Sequence, residues 1–297
     1  MKAVVIINPA SGNEEGKSYK EKIEKKFSSY FDEVEILFTE KGGDAEEFAR
    51  KAAREKADTV FVLGGDGTVN KGVKGLAEEE YRPKFGVFPG GTVNNLARVL
   101  GIPMDIDEAI EVLDFKKHKK IDIGKVEEEY FCYAVSIGAI PEAIHDVSGE
   151  EKTKWGPFAY LSNIIKNITG EKLYSLKIDH DGEILEGEYS HVFIALSDQI
   201  GDIEFAGTGH TISDGCLMMY LLKKTDIFEK AQALGEALKG SLEEDDRVKA
   251  VKCKIVRVES AEGEEVEYDS DGDLGGKVPF TAEVLPHHLD AYYVDQS

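Results

Sequence analysis

Through the first third of the chain, short apolar runs alternate with longer stretches that are apolar on one face only. "KAVVII", residues 2–7, is nearly all apolar and predicts a buried strand. "EEGKSYKEKIEKKFSSYF" follows with Tyr19, Ile23, Phe27 and Tyr30 near helical spacing. "VEILFT", residues 34–39, predicts a second strand. "DAEEFARKAAREKA" predicts a helix whose Ala45, Phe48, Ala49, Ala52 and Ala53 form one stripe. Asp44 and Glu47 stand at its start with capping-box spacing. "TVFVL" (59–63) and "KFGVF" (84–88) predict two more strands, with helical patterns behind them at 68–77 and 93–100. Such alternation predicts a parallel sheet covered by helices on both faces. In sheets of that kind ligands sit beyond the carboxyl ends of the strands.

After about residue 121 the texture changes. "IDIGKV", "YFCYAVSIG", "LYSLKID", "EILEGEYSHVFIALS", "CLMMYLLK", "VKCKIVRVE" and "EEVEYDS" are short β-rich runs in close succession. They predict an antiparallel sandwich or barrel, interrupted by helices near 157–167 and 227–238. The expected first domain is 1–122, with a tail at about 286–297 packing back on it. The expected second domain is 123–285. There is no Pro/Ser-rich linker, internal repeat or low-complexity segment.

Composition narrows the classes. A chain of 297 residues that is 41% hydrophobic can build two ordinary cores. No apolar stretch approaches the roughly 20 residues of a membrane-spanning helix. "MKAVVIINPASG" fits a buried first strand better than a signal peptide. The three cysteines, Cys132, Cys216 and Cys253, are far apart and form no CxxC pair, so neither a zinc site nor a disulfide framework is expected. Reduced thiols in a cytoplasmic protein are the expectation. A formal charge of −22 disfavours nucleic acid and anionic membranes as long-range partners. "KKHKK" at 116–120 is a local basic exception, expected to be a solvated connector rather than a headgroup contact.

The chemistry gathers in four glycine-rich turns behind the strands: "NPASG" (8–12), "TEKGGDA" (39–45), "GGDGTVN" (64–70) and "PGGTVNN" (89–95). Glycine lets backbone amides approach an anion, and Thr39, Thr68 and Thr92 add hydroxyl donors, so a nucleotide phosphate is the expected ligand. Asp66 repels phosphate unless a divalent cation lies between them. The bland alternative has Asp66 capping a helix that begins at Gly67. GxxxxGK[ST] is absent, and the first strand–helix turn lacks GxGxxG, which argues against P-loop and dinucleotide chemistry.

"NPASG", "GGDGTVN" and "FPGGTVNNLARVLGIP" together resemble the catalytic domain of diacylglycerol kinases and the bacterial YegS-like lipid kinases. "YFCYAVSIG", "KWGPFAYLSNIIK", "SDGCLMMYLL" and "DGDLGGKVPFTAEVLP" follow in family order, so the resemblance spans nearly the whole chain. It implies an α/β nucleotide domain with a three-layer parallel sheet, followed by an antiparallel β-sandwich. It also implies ATP, Mg²⁺ and phosphorylation of a lipid hydroxyl. Carried over turn by turn, the ATP site comprises Asn8, Pro9, Ala10, Ser11 and Gly12, then Thr39. It continues with Gly64, Gly65, Asp66, Gly67, Thr68, Val69 and Asn70, and ends with Gly91, Thr92 and Asn94. Asp66 meets the catalytic Mg²⁺ through the phosphates. The family's Asp-Gly-Glu turn corresponds to Asp271, Gly272 and Asp273, which makes Asp271 and Asp273 the catalytic carboxylates. A structural Mg²⁺ corresponds to Asp214 with the backbone oxygens of Thr211 and Cys216. The implied partner is a lipid at a membrane surface, met transiently and peripherally, with no nucleic acid; a homodimer stays open.

Two departures bear on activity. Asp273 replaces the family's Glu, and one methylene less shortens its reach by about 1.5 Å. A displacement near 1 Å can slow a reaction by about 10²-fold. "ALSDQIGDIEFAGTG", residues 195–209, lacks the asparagine and the glycine-rich patch with a proline that relatives often carry beside the acceptor. A kinase of a soluble acceptor such as NAD, or a nucleotide-binding protein without turnover, therefore stays open. His287 and His288 are expected at the surface, Trp155 fits the lipid cleft or the core, and "NIT" at Asn167 is a chance sequon.

Overall fold

A computed structural model describes residues 1–11, 16–138, 172–200, 203–204, 209–223 and 248–295. The helices expected near 157–167 and 227–238, together with Gly12, Trp155 and Asn167, lie outside the described residues. The chain divides into two compact units: Met1–Ile123 with Glu128–Tyr133 and Leu285–Ser297, and Gly124–Glu127 with Ala134–Val284. The β-rich texture thus starts before the second unit does, because the run 128–133 stays with the first.

In the first unit β1 (Lys2–Ile7) is followed by α1 (Lys20–Ser28), β2 (Glu33–Phe38), α2 (Asp44–Arg54) and β3 (Thr59–Gly64). Next come α3 (Asp66–Ala77), β4 (Lys84–Pro89), and the short helices α4 (Asn95–Val99) and α5 (Ile106–Val112). The strands run parallel in the order β2-β1-β3-β4. From β1 the chain steps one way to β2, then crosses back to β3 and β4. Right-handed crossovers therefore put α1 on one face and α2 and α3 on the other. The ion pairs follow that division. Lys22 of α1 pairs with Asp107 of α5 at 2.6 Å, while Arg54 of α2 pairs with Glu79, just past α3, at 2.9 Å.

The core under α1 is aromatic. Phe27 of α1 meets Phe61 of β3 edge-on at 4.9 Å, and Phe61 stacks on Phe88 of β4 at 5.2 Å. Phe61 stands opposite Gly86 in the β3–β4 register. A Cβ on Gly86 would lie 2.1 Å from the Phe61 ring, so a glycine is what lets that ring lie flat across the neighbouring strand.

The second unit is antiparallel. After β5 (His118–Val126) and β6 (Glu129–Phe131), its first sheet begins with β7 (Ala134–Ile137). Then come β8 (Tyr174–His180), β9 (Glu183–Tyr189), β10 (His191–Ala195), and the two-residue pair β11 (Gln199–Ile200) and β12 (Ile203–Glu204). They are followed by β13 (Leu217–Leu222), β14 (Val248–Cys253), β15 (Ile255–Ser260), β16 (Glu267–Ser270), β17 (Asp273–Lys277) and β18 (Phe280–Tyr292). One sheet has the order β14-β13-β10-β7-β16-β17, and the other places β15, β8 and β9 beside the first residues of β18. Between the two alternatives the sequence allowed, the strands form a sandwich rather than a barrel. The last residues of β18 belong to the first unit, where Ala291 pairs with Phe85 in parallel.

The "KKHKK" run leads into β5, and three of its residues are met by acids near the C-terminal end of β18. Lys117 pairs with Asp295 at 2.5 Å, and His118 and Lys120 reach Asp290 at 2.8 and 3.7 Å. Burial lowers the pKa of Lys119, whose ammonium lies 5.3 Å from the Tyr293 ring centre. His287 is exposed as expected. His288 is half-buried: its Nε2 lies 2.8 Å from the Ala77 carbonyl, and burial holds its pKa down.

Gly86→Ala forces the Phe61 ring out of its place. The expected loss is about 1–3 kcal/mol, the range for overpacking a filled core. Chemical denaturation at equilibrium measures it, and an unchanged midpoint would show that the ring can move freely.

Candidate functional site

The carboxyl ends of β1, β3 and β4 bring three of the expected turns together. Asn8 closes the first: its Oδ1 accepts from the N–H of Ala10 at 3.0 Å, and its Nδ2 donates to Oγ1 of Thr68 at 3.2 Å. The second and third turns touch through their backbones. The N–H of Gly90 donates to the Gly64 carbonyl at 2.9 Å. A Cβ on Gly91 would sit 2.6 Å from Cα of Gly65, and one on Gly90 would sit 2.7 Å from Cβ of Ser11. The sequence suggested that these glycines admit a ligand. Their first task is different: they let one turn lie against the next, where no side chain fits. Gly42 and Gly43 of the turn after β2 do face open space.

Asp66 does not cap its helix. Helix α3 starts at Asp66 itself, and its N-cap, Gly65, makes no side-chain cap. The carboxylate instead reaches to the third turn. The N–H groups of Asn94 and Asn95 donate to its Oδ2 at 2.8 Å and its Oδ1 at 2.7 Å. Each oxygen keeps a second lone pair, so the carboxylate retains donor capacity for a hard cation such as Mg²⁺. Asn94 is buried in the left-handed region (φ 56°) and clasps Gly91 twice, accepting from its N–H at 2.8 Å and donating to its carbonyl at 2.7 Å. Nε of Arg98 donates to the Val93 carbonyl at 2.6 Å.

The cradle suits phosphate. The first N–H groups of α3 have no acceptor within the helix, and such groups together with the helix dipole favour an anion. Thr92 is exposed at the rim, and Pro9, Ala10, Gly67 and Val69 belong to the same turns. Ser11 is buried against Gly90. Asn70 turns elsewhere, its Nδ2 donating to the Tyr130 carbonyl at 2.9 Å. Thr39 follows β2, with its N–H on the Ile7 carbonyl at 3.0 Å. Asn95 lay outside the expected set. The doubled asparagine was its one signal, since the contact that uses its N–H comes from a residue 29 positions earlier.

The turn after β2 is closed by Asp44, but not as a capping box. The N-cap is Gly43, at φ 92°, without a side-chain bond. The Asp44 carboxylate folds back and accepts from the N–H groups of Glu40 at 2.7 Å and Lys41 at 2.9 Å. Those two donors hold its pKa below the usual carboxylate range.

In the second unit, Asp271 and Gly272 form the two-residue connection between β16 and β17, both with positive φ (54° and 93°). That is the type I′ hairpin that Asp-Gly favours. The two carboxylates are then placed differently. Asp271 is tied to the start of β7: its N–H donates to the Ala134 carbonyl at 2.9 Å, and its Oδ1 accepts from the Ala134 N–H at 3.0 Å. Asp273 opens β17 and is exposed. Next to it Leu274 is 76% exposed. Below them Tyr268 covers Gly275, where a Cβ would come within 2.3 Å of the ring.

Asp214 lies in a turn before β13. Its Oδ1 accepts from Oγ1 of Thr211 at 2.6 Å, and its Oδ2 accepts from the Thr211 N–H at 3.1 Å and faces Nδ1 of His210 at 3.2 Å. Burial pushes its pKa up, but the donors from Thr211 and His210 outweigh it, and the net shift is downward. One carboxylate with the carbonyls of Thr211 and Cys216 is an oxygen set of the kind Mg²⁺ takes. Of the segment at 195–209, Asp198 is buried, accepting from the His210 N–H at 2.7 Å and from the Tyr220 hydroxyl at 2.9 Å.

Comparison with known proteins gives the family. Residues 2–126 match the diacylglycerol kinase catalytic domain, and residues 134–293 match the YegS C-terminal NAD kinase beta sandwich-like domain. The chain belongs to the diacylglycerol kinase catalytic-domain family, whose members are kinases. A candidate lipid kinase of Streptococcus pneumoniae serotype 4 is 40% identical over 291 residues, covering 98% of this chain and 97% of that protein. A diacylglycerol kinase of Staphylococcus aureus (strain MRSA252) is 31% identical over 291 residues, covering 98% and 92%. The crystal structure of a diacylglycerol kinase from Bacillus anthracis str. Sterne superposes with a TM-score of 0.82 at 31% identity, covering 99% of this chain and 97% of that one. Among the described residues no helix is long and apolar enough to cross a membrane.

Asp44→Ala tests the turn after β2. The folded pKa of Asp44 is depressed, so its contribution is present above the unfolded carboxyl value and is lost as pH falls through the lower folded value. The stability gap between wild type and Asp44→Ala is expected at neutral pH and should close as pH falls below about 4. Denaturation midpoints against pH measure the gap, and one that stays constant would mean that the ionised carboxylate is not the acceptor.

Proposed function

We propose that this kinase uses ATP and Mg²⁺ to phosphorylate a hydroxyl of diacylglycerol or a related lipid. The observation that carries the reading is the joined set of turns at Asn8, Gly64–Asp66 and Gly90–Asn94, on a chain of the diacylglycerol kinase family. The turns hold the nucleotide phosphates through backbone N–H groups and the hydroxyls of Thr68 and Thr92. Asp66 and the nucleotide would hold the catalytic Mg²⁺, and Asp214 with the carbonyls of Thr211 and Cys216 would hold a structural one. When bound, Mg²⁺ offsets charge on the transferred phosphate.

Asp273 accepts the proton of the attacking hydroxyl. It is exposed, and among the described residues its carboxylate has no hydrogen-bond or ion-pair partner. Asp271 sets the hairpin instead, because its carboxylate is engaged with the Ala134 N–H. Leu274 offers an apolar contact beside the base. An acidic chain that acts transiently at a membrane from the cytoplasm would need such a contact, since it cannot use long-range attraction to anionic lipid.

Turnover is measured as ADP release with Mg-ATP against diacylglycerol, monoacylglycerol, a sphingoid base and NAD. Turnover on NAD alone would sink the lipid reading, and nucleotide binding without turnover on any acceptor would mark a protein that has lost its chemistry. Two variants separate the carboxylates. Asp273→Asn is expected to lower kcat by about 10²–10⁴-fold, the usual worth of a general base. Asp271→Asn keeps an acceptor for the Ala134 N–H and a turn residue suited to positive φ, so it should stay within about threefold of wild type. The reverse pattern would make Asp271 the base.

A further inference from the structure

We infer that Asp66 is a positioning residue that assembles the nucleotide cradle before any cation arrives. This deepens the reading above and rests on its nucleotide part. The third turn follows β4 and the second follows β3, and they meet backbone to backbone: a Cβ on Gly91 would lie 2.6 Å from Cα of Gly65, which leaves no room for a side chain there. Apolar packing therefore cannot hold these two backbones together, and hydrogen bonds must. The backbone supplies one, from the Gly90 N–H to the Gly64 carbonyl at 2.9 Å. Asp66 supplies two more, to the N–H groups of Asn94 and Asn95 at 2.8 and 2.7 Å, both charge-assisted. Asn94 then passes the constraint to Gly91 through its own pair of bonds. The carboxylate thus spans both turns with both of its oxygens.

A cation ligand and a clamp predict opposite signs for nucleotide binding without metal. If Asp66 served only a cation, its removal would take a negative charge away from the phosphates, and metal-free ADP would bind equally well or more tightly. If it clamps the turns, its removal loosens the cradle and metal-free ADP binds more weakly.

The experiment is calorimetric titration of ADP into the full chain in EDTA, repeated with Mg²⁺, on wild type, Asp66→Ala, Asp66→Asn and Asn94→Ala. Asp66→Ala is expected to weaken metal-free ADP binding by about tenfold, the effect of roughly one charge-assisted hydrogen bond. Asp66→Asn keeps one acceptor oxygen and should fall between wild type and Asp66→Ala, which covers the case in which the alanine variant does not fold. Asn94→Ala changes no charge and should weaken binding in the same direction. The ratio of affinities with and without Mg²⁺ should stay near the wild-type ratio in Asn94→Ala and fall in the two Asp66 variants, which also lose the proposed Mg²⁺ contact. Metal-free binding by the Asp66 variants at or above the wild-type level, or a loss confined to the Mg²⁺ titrations, overturns the clamp. Wild type that does not bind ADP at all overturns the nucleotide reading itself, and the inference with it.

Discussion

The first unit depends on a close approach between two pieces of backbone. Between Gly65 and Gly91 there is no space for a side chain, and what joins them is polar: one backbone hydrogen bond and the carboxylate of Asp66. The approach requires parallel strands β3 and β4 to be neighbours, with their carboxyl ends level. The register provides that, pairing Leu63 with Phe88 and Gly64 with Pro89. That register is in turn held from below, where the Phe61 ring lies across Gly86. A small residue in the sheet core and small residues in the turns therefore belong to one constraint, expressed at two heights of the same strand pair.

The second unit uses a local device for a distant purpose. A type I′ turn needs residues that tolerate positive φ, and Asp-Gly meets the need whether or not chemistry follows. Here the aspartate of the turn is also anchored to the edge of β7, which leaves the next carboxylate, Asp273, at the exposed start of its strand. The shape of the hairpin and its proposed chemistry are not competing explanations. The bond to Ala134 fixes the hairpin, and the fixed hairpin determines where Asp273 stands.

Charge works at two scales. A total of −22 gives no long-range attraction to an anionic surface. The one basic run is partly offset within the first unit by Asp290 and Asp295, which pair with Lys117, His118 and Lys120. The proposed approach to lipid would then rest on short-range apolar contact, and Leu274 is an exposed residue next to the candidate base.

Periodicity alone determined the layered part of the fold. The strands at 2–7 and 84–88 and the alanine stripe of α2 were legible because burial follows repeats of two or 3.6 residues. The glycine-rich turns and the Asp-Gly hairpin were legible because few residues tolerate such backbone. Partners across the chain were not legible. Asp44 spacing suggested a capping box, yet its carboxylate turned back to Glu40 and Lys41 because Gly43 took the N-cap position. Asp66 suggested a cap for its own helix or a cation ligand, and only the fold brought Asn94 and Asn95 within reach of it. A residue's type and its local spacing fix which bonds it can make. Which of them it does make depends on what the sheet topology sets beside it, and the tertiary structure alone decides that.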